Sequence, residues 1–224
     1  MMTLNDLPLA TALALGLLTA YLAGSIPSAV WIGKSFYGVD VREKGSKNAG
    51  ATNTIRVLGL LPGIFVLAID VLKGWFAVYM AKFFGSSLVE MNSDYLVYYQ
   101  LVVGIFAVLG HALPVFARFK GGKGVATMLG VVIGLFDKII PLVLAVFVVV
   151  FILTHYISVS SMSAAVSFPI FYSTCSIWLH YNINIVQLSF AIVVALFILW
   201  THRKNIRRLI KHEEPKFKFK KTVD

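Results

Sequence analysis

The sequence predicts an all-α fold: a polytopic membrane bundle of seven transmembrane helices, N-terminus outside and C-terminus cytoplasmic. Three observations lead there. Of 224 residues, 58% are hydrophobic and only 13% charged, against roughly a quarter charged in soluble domains. Several apolar runs approach the ~20 residues that carry a helix across a bilayer. Lys and Arg crowd alternate connections, as they do on the cytoplasmic side of membrane proteins.

Taken in order, the apolar runs place helices at about 8–30, 58–80, 96–116, 124–136, 139–155, 160–178 and 185–202. The first lacks a charged leading segment and a small-residue cleavage site, so it is expected to be a retained helix rather than a signal peptide. The fourth is too short to span upright and is expected to start inside the protein or to be partly re-entrant. Gly59-Leu-Leu-Pro-Gly63 and Gly130-Val-Val-Ile-Gly134 suit close helix packing. Cys175 stands alone and forms no internal disulfide. One membrane domain over 1–224 is expected, its basic tail starting near 203.

The cations set the orientation. Lys34, Arg42, Lys44, Lys47 and Arg56 lie around the first connection, and Arg118, Lys120 and Lys123 in the third. The tail carries nine more, from Arg203 to Lys221, while the opposite face has little beyond Lys82 and Lys138. The net charge of +10 suits anionic lipid or anionic substrates. Nucleic acid is not an expected partner of so apolar a chain.

Four polar segments then fall on the cytoplasmic face. The third connection, Gly110-His-Ala-Leu-Pro-Val-Phe-Ala-Arg-Phe-Lys-Gly-Gly-Lys-Gly-Val-Ala-Thr127, joins a helix-breaking proline to Gly121, Gly122 and Gly124 with Lys120 and Lys123 beside them. Exposed amides, fixed positive charge and a following helix N-terminus suit a phosphate; a basic loop that only sets topology has the same composition. It is not a Walker A loop, because Ala117 and Gly124 stand where that motif needs Gly and Ser or Thr. The first connection, Asp40 to Arg56, offers Ser46, Asn48, Thr52, Asn53 and Arg56 as hydrogen-bonding groups. A helix starting near Ala51 puts Asn53 and Arg56 on one face.

Ser158, Ser160 and Ser161 form a hydroxyl-rich turn, which serves either a substrate or backbone carbonyls. His202 and Asn205 share a face if the last helix continues, beside the alternative of a tail resting on headgroups. Asp70 and Lys73, three apart inside the second span, read as a mutually neutralising pair that positions the helix. The five histidines are scattered and there is no cysteine cluster, so no metal or cofactor is expected. A Gly-x-Ser-x-Gly nucleophile turn is missing.

These segments together resemble the bacterial acyl-phosphate:glycerol-3-phosphate acyltransferase family. The resemblance runs nearly the whole chain and rests on Gly24-Ser-Ile-Pro27, the Arg42–Asn53 loop, Gly110-His-x-x-Pro-Val-Phe116, Phe119-Lys-Gly-Gly-Lys-Gly-Val-Ala-Thr127 and His202-Arg-x-Asn-Ile-x-Arg-Leu209. It implies a seven-helix enzyme of the bacterial cytoplasmic membrane. Its reaction moves a fatty acyl group from acyl phosphate to the 1-hydroxyl of glycerol 3-phosphate, giving lysophosphatidic acid and phosphate. It further implies glycerol-phosphate contacts at Ser46, Arg56, Lys123, His202 and Asn205, a phosphate loop at Gly121, Gly122 and Gly124, and a serine turn at Ser158 and Ser161. Lys123, His202 and Asn205 are the expected catalytic groups. The chain departs from the family pattern at His155 (usually Arg), Lys204 (usually Glu) and His212 (usually Gly).

No histidine has an Asp five residues on, so the His-x4-Asp base of thioester-dependent acyltransferases is absent. Proton transfer to a substrate phosphate oxygen is expected, with His202 as the alternative acceptor. Two other classes stay open at this level: an organic-phosphate transporter, which would place polar groups on both faces, and a lipid-binding scaffold.

Overall fold

A computed structural model describes residues 8–178 and 183–217. Among them the regular structure is entirely helical. The chain divides into two compact units, Met1–Leu135 and Phe136–Asp224.

In the first unit the expected opening helix is two: α1 (Leu9–Gly24) and α2 (Ser28–Tyr37). Pro27 has no N–H to continue the α1 ladder, so the chain breaks at Ser25–Pro27 and restarts. The expected second helix also gains a prefix. α3 (Ala51–Leu58) precedes α4 (Leu60–Phe84), separated by Gly59 at φ 101°, a backbone state that disfavours any side chain. Gly59 has open space around it, so its use is the break, whereas Gly63 packs on Ile55 of α3. A short α5 (Ser86–Met91) leads to α6 (Ser93–Ala112), started by Asn92, whose Oδ1 accepts the Asp94 N–H at 2.8 Å. After Pro114 comes a 3-10 turn, Val115–Ala117, and then α7 (Val125–Leu135).

Small residues let these helices approach, and the contacts reveal their directions. Gly16 meets Tyr99 and Gly24 meets Ala107, so α1 and α6 run parallel. Val71 meets Gly130 and Val78 meets Gly134, so α4 and α7 run parallel too. α6 opposes α4, with Gln100 reaching the Val78 carbonyl and Lys73 reaching His111. Residues 38–50 and 113–124 therefore emerge at the same end of this unit.

The second unit holds α8 (Ile140–Thr154), α9 (Ile157–Trp178), α10 (Ile185–Thr201) and α11 (Arg203–Ile210). His155 in the left-handed conformation, φ 59°, reverses the chain between α8 and α9. Asn184 starts α10 by accepting from the Val186 and Gln187 amides, and α11 bends away from α10 by 56° at His202. Phe136 packs on Phe168, Tyr172 and Phe190.

Leu61, Leu153, Leu196 and Ile177 are more than half exposed, a distribution suited to lipid rather than water. Among the described residues three helical segments are long and apolar enough to cross a bilayer, Leu9–Tyr37, Leu60–Phe84 and Asp94–Ala117, or four if α10 and α11 count as one bent span. Val125–Leu135 and Ile140–Thr154 are apolar but shorter.

Candidate active site

At the polar end of the first unit, Asn53 organises the first loop. Its buried side chain accepts the Ser46 N–H at 2.7 Å and donates to the carbonyls of Val41 (2.7 Å) and Lys44 (3.1 Å). Its amide is taken up by the loop, so it sets where Ser46 stands, while Arg56 is exposed on α3. The expected shared face of Asn53 and Arg56 is split between a buried and a solvent-facing position. Ser46 and Thr52 are exposed, and Asn48 is half-buried beside Gly50.

Asp40 grips Arg42 from both oxygens, with Nη2 at 2.7 Å and Nε at 3.0 Å, and takes Lys34 at 3.2 Å. The guanidinium hydrogen bonds hold the Asp40 carboxyl well below the usual carboxylate range, against the opposing effect of burial. Arg42 Nη1 then donates to the carbonyls of Ala117 (3.1 Å) and Lys120 (3.3 Å), tying this loop to the glycine loop.

The glycine loop is strained at its entrance: Arg118 (φ 55°) and Phe119 (φ 58°) are successive left-handed residues. Gly124, at φ 75°, hands the chain to α7. The Gly122 N–H donates to the His111 carbonyl at 3.2 Å, whereas those of Gly121 and Gly124 take no backbone acceptor among the described residues. A side chain at Gly121 would strike the His111 carbonyl and Pro114, and one at Gly122 would strike His111 Nε2 and the Ala49 carbonyl. Lys123 is half-exposed in this loop.

Beneath the loop the expected Asp70–Lys73 pair forms, at 2.8 Å with both side chains buried. Lys73 Nζ also donates to the Ile26 carbonyl (2.9 Å) and to His111 Nδ1 (3.2 Å), which matches three donors to three acceptors. Ser28 donates to Asp70 Oδ1 at 2.6 Å, and Asp70 Oδ2, Thr127 Oγ1 and Ser25 Oγ are buried with no hydrogen-bond partner among the described residues.

At the polar end of the second unit, Glu214 gathers three donors. Ser158 Oγ (2.8 Å) and Asn205 Nδ2 (2.7 Å) donate to Oε1, and Arg208 Nε donates to Oε2 at 2.6 Å. Burial raises the Glu214 pKa, but these donors outweigh it and hold the carboxyl below its ordinary value. The tail is folded rather than splayed: the Phe217 N–H donates to the His155 carbonyl at 2.8 Å, and the Phe217 ring packs edge-on against Phe151. His202 Nδ1 donates to the Ile198 carbonyl at 2.8 Å, so in the neutral ring Nε2 carries the lone pair. Ser160 donates to the Tyr156 carbonyl, the backbone use of a helical hydroxyl, and Ser161 is buried. Among the described residues no group of three His, Cys, Asp or Glu side chains is placed to hold a metal.

The model of the glycerol-3-phosphate acyltransferase family matches residues 14–212. The chain belongs to that family. Among glycerol-3-phosphate acyltransferases it is 46% identical to that of Fusobacterium nucleatum subsp. nucleatum over 200 residues, covering 89% of this chain and 95% of the relative. It is 42% identical to that of Listeria monocytogenes serovar 1/2a, covering 90% and 95%. A solved integral membrane glycerol 3-phosphate acyltransferase, PlsY (YgiH), superposes in its glycerol 3-phosphate form with a TM-score of 0.79 at 34% identity, covering 92% of this chain and 96% of that one. Its lysophosphatidic acid form gives 0.76 at 32%, with the same coverage.

For this acyltransferase, motif reading located both loops, the serine turn and the His202–Asn205 pair, and it passed over three groups. Glu214 lies beyond the matching motifs, Arg42 reads as one of the cations that set orientation, and the sequence gives His111 no role. The absent His-x4-Asp spacing hid a tertiary approach: His111 Nδ1 lies 3.6 Å from Asp70 Oδ1. No local signal reveals the distant partners, Ser158 for Glu214, Ala117 and Lys120 for Arg42, and Lys73 for His111, because they lie on other helices or in a distant loop.

Proposed function

We propose that this membrane acyltransferase transfers a fatty acyl group from acyl phosphate to the 1-hydroxyl of glycerol 3-phosphate, releasing lysophosphatidic acid and inorganic phosphate as the first acylation of bacterial phospholipid synthesis. One observation supports the donor assignment: the Gly121 and Gly124 amides, which take no backbone acceptor among the described residues, lie in the same loop as Lys123 at one end of the first unit, a composition suited to a phosphate leaving group. The glycerol 3-phosphate and lysophosphatidic acid forms of the solved relative support acceptor and product.

In the reaction the glycerol hydroxyl attacks the acyl carbonyl, the new ester C–O bond forms, and the C–O bond to phosphate breaks. Acyl phosphate is a mixed anhydride with a good leaving group, so alignment and charge management are the main demands. Lys123 and the glycine loop hold phosphate. Ser46, placed by Asn53, and Arg56 bind glycerol 3-phosphate, with Asn48 and Thr52 supplying further polar contacts. Asn205 and His202 are further glycerol-phosphate contacts, and Ser158, Ser160 and Ser161 supply the hydroxyls of the serine turn. The hydroxyl proton passes to a phosphate oxygen of a reactant, and the acyl chain lies in lipid.

The chain works as a single seven-span domain in the cytoplasmic membrane, N-terminus outside, with its chemistry on the cytoplasmic side. The parallel pairs α1–α6 and α4–α7 support this topology, because they put the first and third connections at one end of the first unit. Purified protein in detergent, supplied with acyl phosphate and glycerol 3-phosphate, is expected to form lysophosphatidic acid and phosphate in equal amounts. Formation from acyl-CoA alone, or no product at all, overturns the assignment.

A further inference from the structure

His111 is a buried polar group to which neither the motifs nor the loop chemistry assigns a use. Its ring lies between two neighbours in the first unit. On one side Nδ1 is 3.2 Å from Lys73 Nζ. A lysine ammonium only donates, so Nδ1 accepts and the ring proton of the neutral imidazole sits on Nε2. Asp70 does not reverse this. Its Oδ1 is 2.8 Å from Lys73 but 3.6 Å from His111 Nδ1, beyond hydrogen-bond range.

On its other side the ring faces the glycine loop. Nε2 and Cε1 occupy the space that a side chain at Gly122 would need, and the His111 carbonyl holds the Gly122 N–H. His111 is 7% exposed, and no acceptor among the described residues takes the Nε2–H. Lys73 thus selects one tautomer and leaves the ring N–H beside Gly122 of the loop. His202 is held in the opposite tautomer, through Nδ1 to the Ile198 carbonyl.

We propose that His111, fixed as the Nε2–H imidazole by Lys73, is an additional ligand for the phosphate group held at the Gly121–Gly124 loop. The inference rests on the phosphate-loop reading above. The group recognised is a phosphate of either reactant, or inorganic phosphate as product.

The test uses the purified full chain in detergent and compares wild type with His111→Ala, His111→Gln, which keeps an N–H near the Nε2 position, and Lys123→Ala. KM for acyl phosphate, KM for glycerol 3-phosphate and inhibition by inorganic phosphate are measured separately. His111→Ala is expected to weaken inorganic phosphate and raise KM for one reactant by about tenfold or more, with His111→Gln within about threefold of wild type. The reactant whose KM rises identifies the phosphate in question. Unchanged constants in His111→Ala, or equal impairment of both variants with unaltered unfolding midpoints, overturns the proposal. Lys123→Ala separates the two readings: unchanged phosphate inhibition there overturns the phosphate loop itself, whereas loss there without loss in His111→Ala overturns only the role of His111. Should the His111 variants not fold, nitrogen-15 histidine NMR on wild type decides. A ring with bare Nδ1 and Nε2–H that shifts on adding inorganic phosphate supports the proposal, and the absence of such a ring overturns it.

Discussion

Arg42 Nη1 donates to the Ala117 carbonyl at 3.1 Å across 75 residues of chain. Asp40 holds the same guanidinium from its other edge, so two loops distant in sequence share one planar cation. Lysine cannot make both sets of bonds. Arg42→Lys is therefore expected to loosen the glycine loop, raising KM for a phosphate-bearing reactant several-fold while shifting stability by only about 1 kcal/mol. Steady-state kinetics beside thermal unfolding in detergent measure both. An unchanged KM would show that the tie does not shape the loop.

Glu214 is expected to matter more for stability than its place in the tail suggests. Glu214→Ala removes the carboxylate that accepts from Asn205 Nδ2, Ser158 Oγ and Arg208 Nε, a loss of about 2 kcal/mol or more. Because the folded carboxyl titrates below its ordinary value, its contribution is complete only above the ordinary glutamate range and is lost as pH falls from there through the lowered folded pKa. Glu214→Gln is expected to remove that acid-limb slope, as followed by unfolding between pH 3 and pH 6 (roughly the window of carboxylate titration). A slope unchanged in the variant would assign acid sensitivity to other groups.

Two glycines of the loop are expected to fail in different ways. At Gly122 an alanine Cβ meets His111 Nε2 and the Ala49 carbonyl, so Gly122→Ala displaces the loop and lowers kcat/KM by about tenfold or more. At Gly124 the obstacle is φ 75°, and Gly124→Ala adds about 1 kcal/mol of backbone strain. A more stable d-alanine at position 124, introduced by semisynthesis, would isolate that cause, since it favours positive φ.

If the proton passes to a phosphate oxygen, His202 positions rather than accepts. His202→Gln, which keeps hydrogen bonding, is then expected to retain more turnover than Lys123→Ala, which removes a charge facing phosphate. Equal and complete loss in both variants with folding intact would count against substrate-assisted transfer.

Much of this architecture was readable from one dimension. The apolar runs located every long helix, and Pro114 with three nearby glycines marked the loop before α7. Asp70 and Lys73 were paired by their spacing alone. The breaks at Pro27 and Gly59 were harder to see, since the apolar pattern runs straight through both and only backbone geometry interrupts it. Asn53 had the composition of a ligand, yet its side chain is held by Val41, Lys44 and Ser46, which hydropathy does not register.

By itself the sequence determined the all-helical membrane character, the polar loops and the family, because lipid demands long apolar runs and the motifs are contiguous. Only the tertiary structure decided which polar groups face which: Arg42 on the glycine loop, Glu214 under Asn205, Lys73 on His111. Those choices depend on helix direction and close approach at Gly24, Gly74 and Gly130. Buried donors must find acceptors wherever packing puts them, and their distance along the chain carries no record of the match.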